Sequence, residues 1–124
     1  MCLTGDNMEE SIEIALLLDF YGQLLTPRQY EILDLHYNND FSLGEIGNHL
    51  KISRQGVYDS VKKGKEALRR YEEKLGFVKR FSKHEETLRS ILNGLEKLQQ
   101  DNILNSKELI DICVNKLKKV ISEL

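Results

Sequence analysis

The sequence predicts an all-α protein: a helix-turn-helix domain followed by a C-terminal helical hairpin. Three observations predict it. Leucine supplies 20 of the 124 residues against five Val and three Thr, and Ala, Glu, Lys, Leu and Arg together supply 53; that balance favours helix over strand. Thr26, Ser42 and Ser53 each stand just before a run of helical periodicity, where a hydroxyl can cap free backbone amides. The apolar residues of those runs recur at spacings of three and four.

Met8 to Tyr21 reads as helix 1, preceded by a frayed leader over residues 1–7. Its apolar residues Ile12, Ile14, Ala15, Leu16, Leu17, Leu18, Phe20 and Tyr21 cover nearly the whole circumference. Such a helix is normally buried on most sides, by its own domain or by a second subunit. Thr26-Pro27-Arg28-Gln29 combines a cap, a first-turn proline and the Gln of a capping box, and so opens helix 2, which runs to about residue 37. Asn38-Asn39-Asp40 is a turn cluster. Ser42-Leu43-Gly44-Glu45 is a second capping box and opens a short helix 3, to about Leu50. Lys51 and Ile52 connect it to helix 4, which Ser53 caps and Gly76 ends. The apolar stripe of helix 4 is Val57, Val61, Gly64, Leu68, Tyr71 and Leu75. Helix 5 is expected over 82–99, with Leu88, Ile91, Leu95 and Leu98 as its seam. A polar joint over 99–105 leads to helix 6, where Ile110, Val114, Leu117, Ile121 and Leu124 repeat the spacing. The expected domains are therefore 1–81 and 82–124.

Charge divides the chain more sharply than its net −2 shows. Residues 1–52 hold nine acids and two bases, and residues 53–83 hold ten bases and four acids. A basic block inside an acidic chain marks a local surface for a polyanion. Residues 42–63, SLGEIGNHLKISRQGVYDSVKK, place that block on the second helix of a helix-turn-helix. Gly47 is small where the two helices cross, and Ile46, Leu50, Ile52, Val57 and Val61 supply apolar contacts. Ser53 starts helix 4, so its first turn offers free amides to a phosphate. Arg54 and Gln55 can pair with base edges in a major groove. Tyr58 can stack on a base or cover a neighbouring helix. Lys62, Lys63, Lys65 and Arg69 suit backbone phosphates.

Other chemistries find little support. His36, His49 and His84 form no metal spacing with Cys2 or Cys113, and no catalytic or phosphate-loop motif occurs. No metal, cofactor or catalytic residue is expected. His36 is expected to be a partly buried residue of helix 2, and Glu72-Glu73 and Glu85-Glu86 to lie on solvated helix surface beside Lys and Arg. No apolar run is long enough for a membrane span, no export signal is visible, and two distant cysteines fit a reducing cytoplasm.

The stretch LLDFYGQLLTPRQYEILDLHYNNDFSLGEIGNHLKISRQGVYDSVKKGKEALRRYEEKLGF resembles the YlxM family of small bacterial helix-turn-helix proteins. The likeness covers about residues 12–81 and is carried by DFYGQLLT, SLGEIG, SRQGVYD and YEEKLGF. Beyond about residue 82 it is one of pattern alone. Family members look like region 4 of bacterial sigma factors. The resemblance implies a cytoplasmic homodimer that binds nucleic acid without being an enzyme. Members tend to be encoded beside the signal recognition particle GTPase and its receptor. That implies a DNA-binding regulator or a component of the targeting pathway, with DNA or signal recognition particle RNA as partner. The alternative it raises is an adaptor for signal recognition particle proteins that never touches DNA. Carried over by position, the family's SRQ falls on Ser53, Arg54 and Gln55, and its VYD on Val57, Tyr58 and Asp59. Gly47, Gly56 and Gly64 stand where larger residues are common, at about 0.5–1 kcal/mol each relative to Ala. A recognition helix that firms up on binding is one reading of them. Dimerisation is expected through helices 1, 5 and 6.

Overall fold

A computed structural model describes residues 8–100 and 106–124; the expected leader and most of the 99–105 joint lie outside them. Helices α1 (Met8–Tyr21), α2 (Pro27–Leu33), α3 (Leu43–Leu50), α4 (Arg54–Leu75), α5 (Phe77–Gln100) and α6 (Ser106–Ser122) follow one another, with no strand among the described residues. The chain forms two compact units, divided between Val78 and Lys79.

The N-terminal unit is built around α4, which packs on α1, α2 and α3. Its core joins Ile14, Leu17, Leu18 and Tyr21 of α1 to Ile32 and Leu33 of α2, Leu43 and Ile46 of α3, and Val57, Val61 and Leu68 of α4. Helix α1 thus buries one broad side, while Met8 and Ile12 stay 79% and 63% exposed. The capping box at Thr26 is formed: its hydroxyl accepts from Gln29 N–H, and Gln29 Oε1 accepts from Thr26 N–H. Helix α2 then widens into a π turn over Asp34–Asn38. That turn carries His36 into the core at 6% exposure, where its Nδ1–H donates to Phe41 O at 2.8 Å. A carbonyl partner fixes that nitrogen as the donor. His36 is therefore a structural residue that ties the 38–42 turn to α2, and it is more deeply buried than expected.

Helix α5 starts at Phe77, well before the expected residue 82. No Ser, Thr, Asp or Asn stands at Gly76 to signal a start. Two free amides of its first turn are instead satisfied by side chains from α1 and α4. Tyr21 Oη accepts from Phe77 N–H at 3.1 Å, and Glu72 Oε1 accepts from Val78 N–H at 3.0 Å. The Tyr21 hydroxyl in turn donates to Glu72 Oε1 at 2.6 Å. Glu72 is thus not the solvated surface acid its sequence neighbours imply; it is a helix cap and a tie between α1 and α4. Burial first, then the hydrogen bond from Tyr21 to Glu72, raises the Tyr21 hydroxyl above its ordinary pKa.

The C-terminal unit is the hairpin of α5 and α6, whose seam shares Ile91 with the one the periodicity marks and otherwise differs from it. Ile91 and Gly94 of α5 and Cys113 and Val120 of α6 are the buried positions, and Gly94 and the Ile91 carbonyl meet Cys113. A Cβ on Gly94 would lie 2.7 Å from Cys113 Sγ, so the helices close on their smallest side chains. The larger residues Leu88, Leu95, Ile110, Val114, Leu117 and Ile121 are left more than two-fifths exposed.

Candidate nucleic-acid interface

The turn between α3 and α4 fixes how the second helix is presented. Ser42 and Glu45 form the reciprocal box that starts α3. The hydrogen bond from Ser42 N–H, then the Ser42 hydroxyl, holds the Glu45 carboxyl below its ordinary range. Helix α3 ends with Lys51 in the left-handed region at φ 60°, and Ile52 N–H reaches back to Gly47 O at 3.0 Å. That pairing is a Schellman end, usually built on glycine. Gly47 is required by the crossing: a Cβ there would stand 2.8 Å from the Ile52 carbonyl oxygen. Gly64 has a similar reason, since its Cβ would stand 2.7 Å from Leu33 Cδ1. The glycines at 47 and 64 are thus packing residues, and their sites give no ground for a softened helix.

Ser53 Oγ accepts from Gly56 N–H at 2.9 Å and caps α4. The amides of Arg54 and Gln55 have no carbonyl of their own helix to bond. Arg54, Gln55, Tyr58, Lys62 and Lys63 are all exposed, Tyr58 at 41%. Gln55 Nε2 donates to Asp59 Oδ1 at 3.1 Å, so the amide that could read a base is held by its own helix in the free protein. With five exposed donors or cations along its first three turns, this end of α4 can take a polyanion.

Lys65 and Arg69 are placed differently. Lys65 Nζ lies 2.8 Å from Glu10 Oε1, and its side chain is 14% exposed. Arg69 Nη2 lies 3.3 Å from Glu10 and its Nε lies 3.1 Å from Glu13. Burial alone would lower the Arg69 pKa, but Glu13 and then Glu10 outweigh it and raise it. The acids of α1 thus meet the second half of the basic row. Glu10 and Glu13 are the site residues that local sequence reasoning missed. Their signal was the complementary spacing: acids three apart on one helix, bases four apart on another.

Two capped helices crossing at a glycine, joined by a tight left-handed turn, define a helix-turn-helix protein. The chain belongs to the family described as "Putative helix-turn-helix protein, YlxM / p13 like", whose profile matches residues 8–110. That span runs through α5 and into α6, beyond the part legible from motifs. A UPF0122 protein of Acetivibrio thermocellus is 57% identical over 91 residues, which is 73% of this chain and 78% of that one. A relative of the same name from Caldanaerobacter subterraneus subsp. tengcongensis is 52% identical over 83 residues, covering 67% and 68% of the two chains. Another from Thermoanaerobacter sp. is 49% identical over 92 residues, covering 74% and 73%. No helix among the described residues is long and apolar enough to cross a membrane, and no group of His, Cys, Asp or Glu among them could hold a metal ion.

Proposed function

We propose that this protein is a non-enzymatic, cytoplasmic nucleic-acid-binding regulator that engages DNA, or the RNA of the signal recognition particle, through the first turns of α4. One observation carries the reading: Ser53, Arg54, Gln55, Tyr58, Lys62 and Lys63 surround an open helix start held rigidly by the Gly47 crossing. The resemblance to YlxM proteins supports the link to signal-recognition-particle-dependent targeting. Fluorescence anisotropy with duplex DNA and with structured RNA, at several salt concentrations, tests it. Binding should weaken steeply with salt, and Arg54→Ala should lower affinity by about 1–3 kcal/mol if it reads a base. No change in anisotropy with either ligand at low salt would refute the reading.

The pairing of Lys65 and Arg69 with Glu10 and Glu13 favours a second reading, an adaptor for signal recognition particle proteins, because it withdraws two cations from the phosphate-binding row. A nuclease-resistant pull-down of a particle protein, with no nucleic-acid binding, would favour the adaptor.

The hairpin supports a homodimer. At the helical period, the exposed stripes Leu88, Leu92 and Leu95 of α5 and Ile110, Val114, Leu117 and Ile121 of α6 lie on the same side of an antiparallel pair. They amount to roughly 600 Å² of apolar surface, close to the ~800 Å² each partner gives to a stable interface. Two such hairpins face to face make a four-helix bundle. Sedimentation of the full chain tests this: Leu92→Glu should shift a dimer to monomer, and a monomeric wild type would end the idea.

A further inference from the structure

We propose that Glu10 and Glu13 of α1 form an electrostatic brake on α4, confining its polyanion-binding face to the first turns until the start of α1 lifts away. This rests on the nucleic-acid reading above and adds a regulation of the same site. Tyr58, Lys62, Lys65 and Arg69 recur at spacings of four, three and four, so they share one flank of α4. The structure splits that flank. Tyr58 and Lys62 are open, while Lys65 and Arg69 lie against the two carboxylates at 2.8–3.3 Å.

The covering turns are held by the backbone bonds of α1 and, against α4, by the ion pairs of Glu10 and Glu13. Apolar burial in α1 begins at Ile14. Before it, Met8 and Ile12 point largely to solvent, so residues 8–13 rest on α4 through the ion pairs. A phosphate chain tracking along α4 competes with the same carboxylates for the same cations. Once it displaces them, the cationic row extends by two residues toward the C-terminal end of the helix. The brake favours ligands long enough to run along α4, since a short anion at the helix start gains nothing from Lys65 or Arg69.

The test uses the full chain with Glu10→Gln and Glu13→Gln together. Binding is read by the salt needed for elution from heparin-agarose and by anisotropy with a mixed-sequence DNA duplex. Glu31→Gln with Glu108→Gln serves as the charge-matched control, since both sites are exposed. The double variant should elute at higher salt than this control, and its log K against log salt slope should steepen by up to about two, one per recovered cation. Adding Lys65→Gln and Arg69→Gln should cancel the gain. Equal elution of the double variant and the control, or a gain that survives loss of Lys65 and Arg69, overturns the brake. If heparin elution shifts as expected while no form binds duplex DNA or RNA, the brake stands and the nucleic-acid reading falls. Thermal unfolding checks that α1 stays folded; should the double variant melt early, Glu13→Gln alone should give a smaller shift in the same direction, and no shift would overturn the proposal.

Discussion

Replacing Gly47 by alanine should destabilise the N-terminal unit, although alanine is the better helix former. The gain is about 1 kcal/mol for Gly to Ala inside a helix. Against it, the new Cβ would sit 2.8 Å from Ile52 O, a backbone atom that cannot rotate away. Restoring ordinary contact needs a separation of roughly 0.6 Å between α3 and the turn, and overpacking of this kind costs about 1–3 kcal/mol. The same shift strains the 3.0 Å bond from Ile52 N–H to Gly47 O, adding about 0.5–1.5 kcal/mol. The net expectation is a loss of about 0.5–3.5 kcal/mol. Gly44 supplies the internal control. It lies on the same helix, but its Cβ would meet nothing closer than Ser42 Oγ at 4.0 Å. Gly44→Ala should therefore stabilise, by up to about 1 kcal/mol. Urea unfolding followed by tyrosine fluorescence suits the comparison, because all five tyrosines precede Val78 and the chain has no Trp. If Gly47→Ala proves as stable as the wild type, the crossing is not sterically limited and the account of the turn is wrong.

Gly64→Ala should cost about 1–3 kcal/mol in the same assay, since Leu33 is fully buried and the new Cβ would crowd its Cγ at 3.2 Å as well as its Cδ1 at 2.7 Å. Tyr21→Phe removes a donor to Glu72 and an acceptor for Phe77 N–H, at about 1–3 kcal/mol for buried groups left unmet. The raised pKa of Tyr21 means that the folded state holds the phenol proton more tightly than the unfolded state. Its contribution is complete below pH 10.0, the ordinary value, and is lost as pH rises beyond it; unfolding curves of Tyr21→Phe should lack that alkaline increment. The depressed pKa of Glu45 has the opposite sign: its stabilisation is present above 4.5 and is lost as pH falls below it. Glu45→Gln, which can still accept from Ser42 N–H, should flatten this acid limb of the unfolding profile.

The helix starts after Thr26, Ser42 and Ser53 were legible because a cap is a local device: the hydroxyl, the amide it accepts and the residue that reciprocates lie within four positions. The start of α5 was not, because its cap comes from Tyr21 and Glu72, 56 and six positions away from the amides they satisfy. Periodicity placed the core of α4 at Val57, Val61, Gly64, Leu68, Tyr71 and Leu75; the first four are buried, Tyr71 packs partly buried against the core, and Leu75 is 41% exposed. In the hairpin it placed Ile91 correctly but misplaced most of the seam, since it weighs hydrophobicity alone and small residues set how closely two helices approach. Gly94 against Cys113 closes the pair and turns the Leu and Ile stripe outward. The exposure of Arg54, Gln55, Tyr58, Lys62 and Lys63 follows from the same periodicity, since all five lie off the stripe of Val57, Val61, Gly64 and Leu68.

The remainder of the site depends on where distant acids land. By sequence the basic block looks uniform from Arg54 to Arg69, and a count of its charges predicts a long phosphate track. Folding lays α1 across α4 so that the acids of the first block meet the bases of the second. The two opposed charge blocks in the chain are therefore partly one interface seen twice. What is left for a partner is the part of the row that α1 does not reach, and its length is set by the point where α1 begins to pack. Moving that point changes the binding face without altering a residue of α4. Under the proposed function, the first turns of α1 rather than α4 itself are where affinity would be tuned, with the proposed contacts at Arg54 and Gln55 left unchanged.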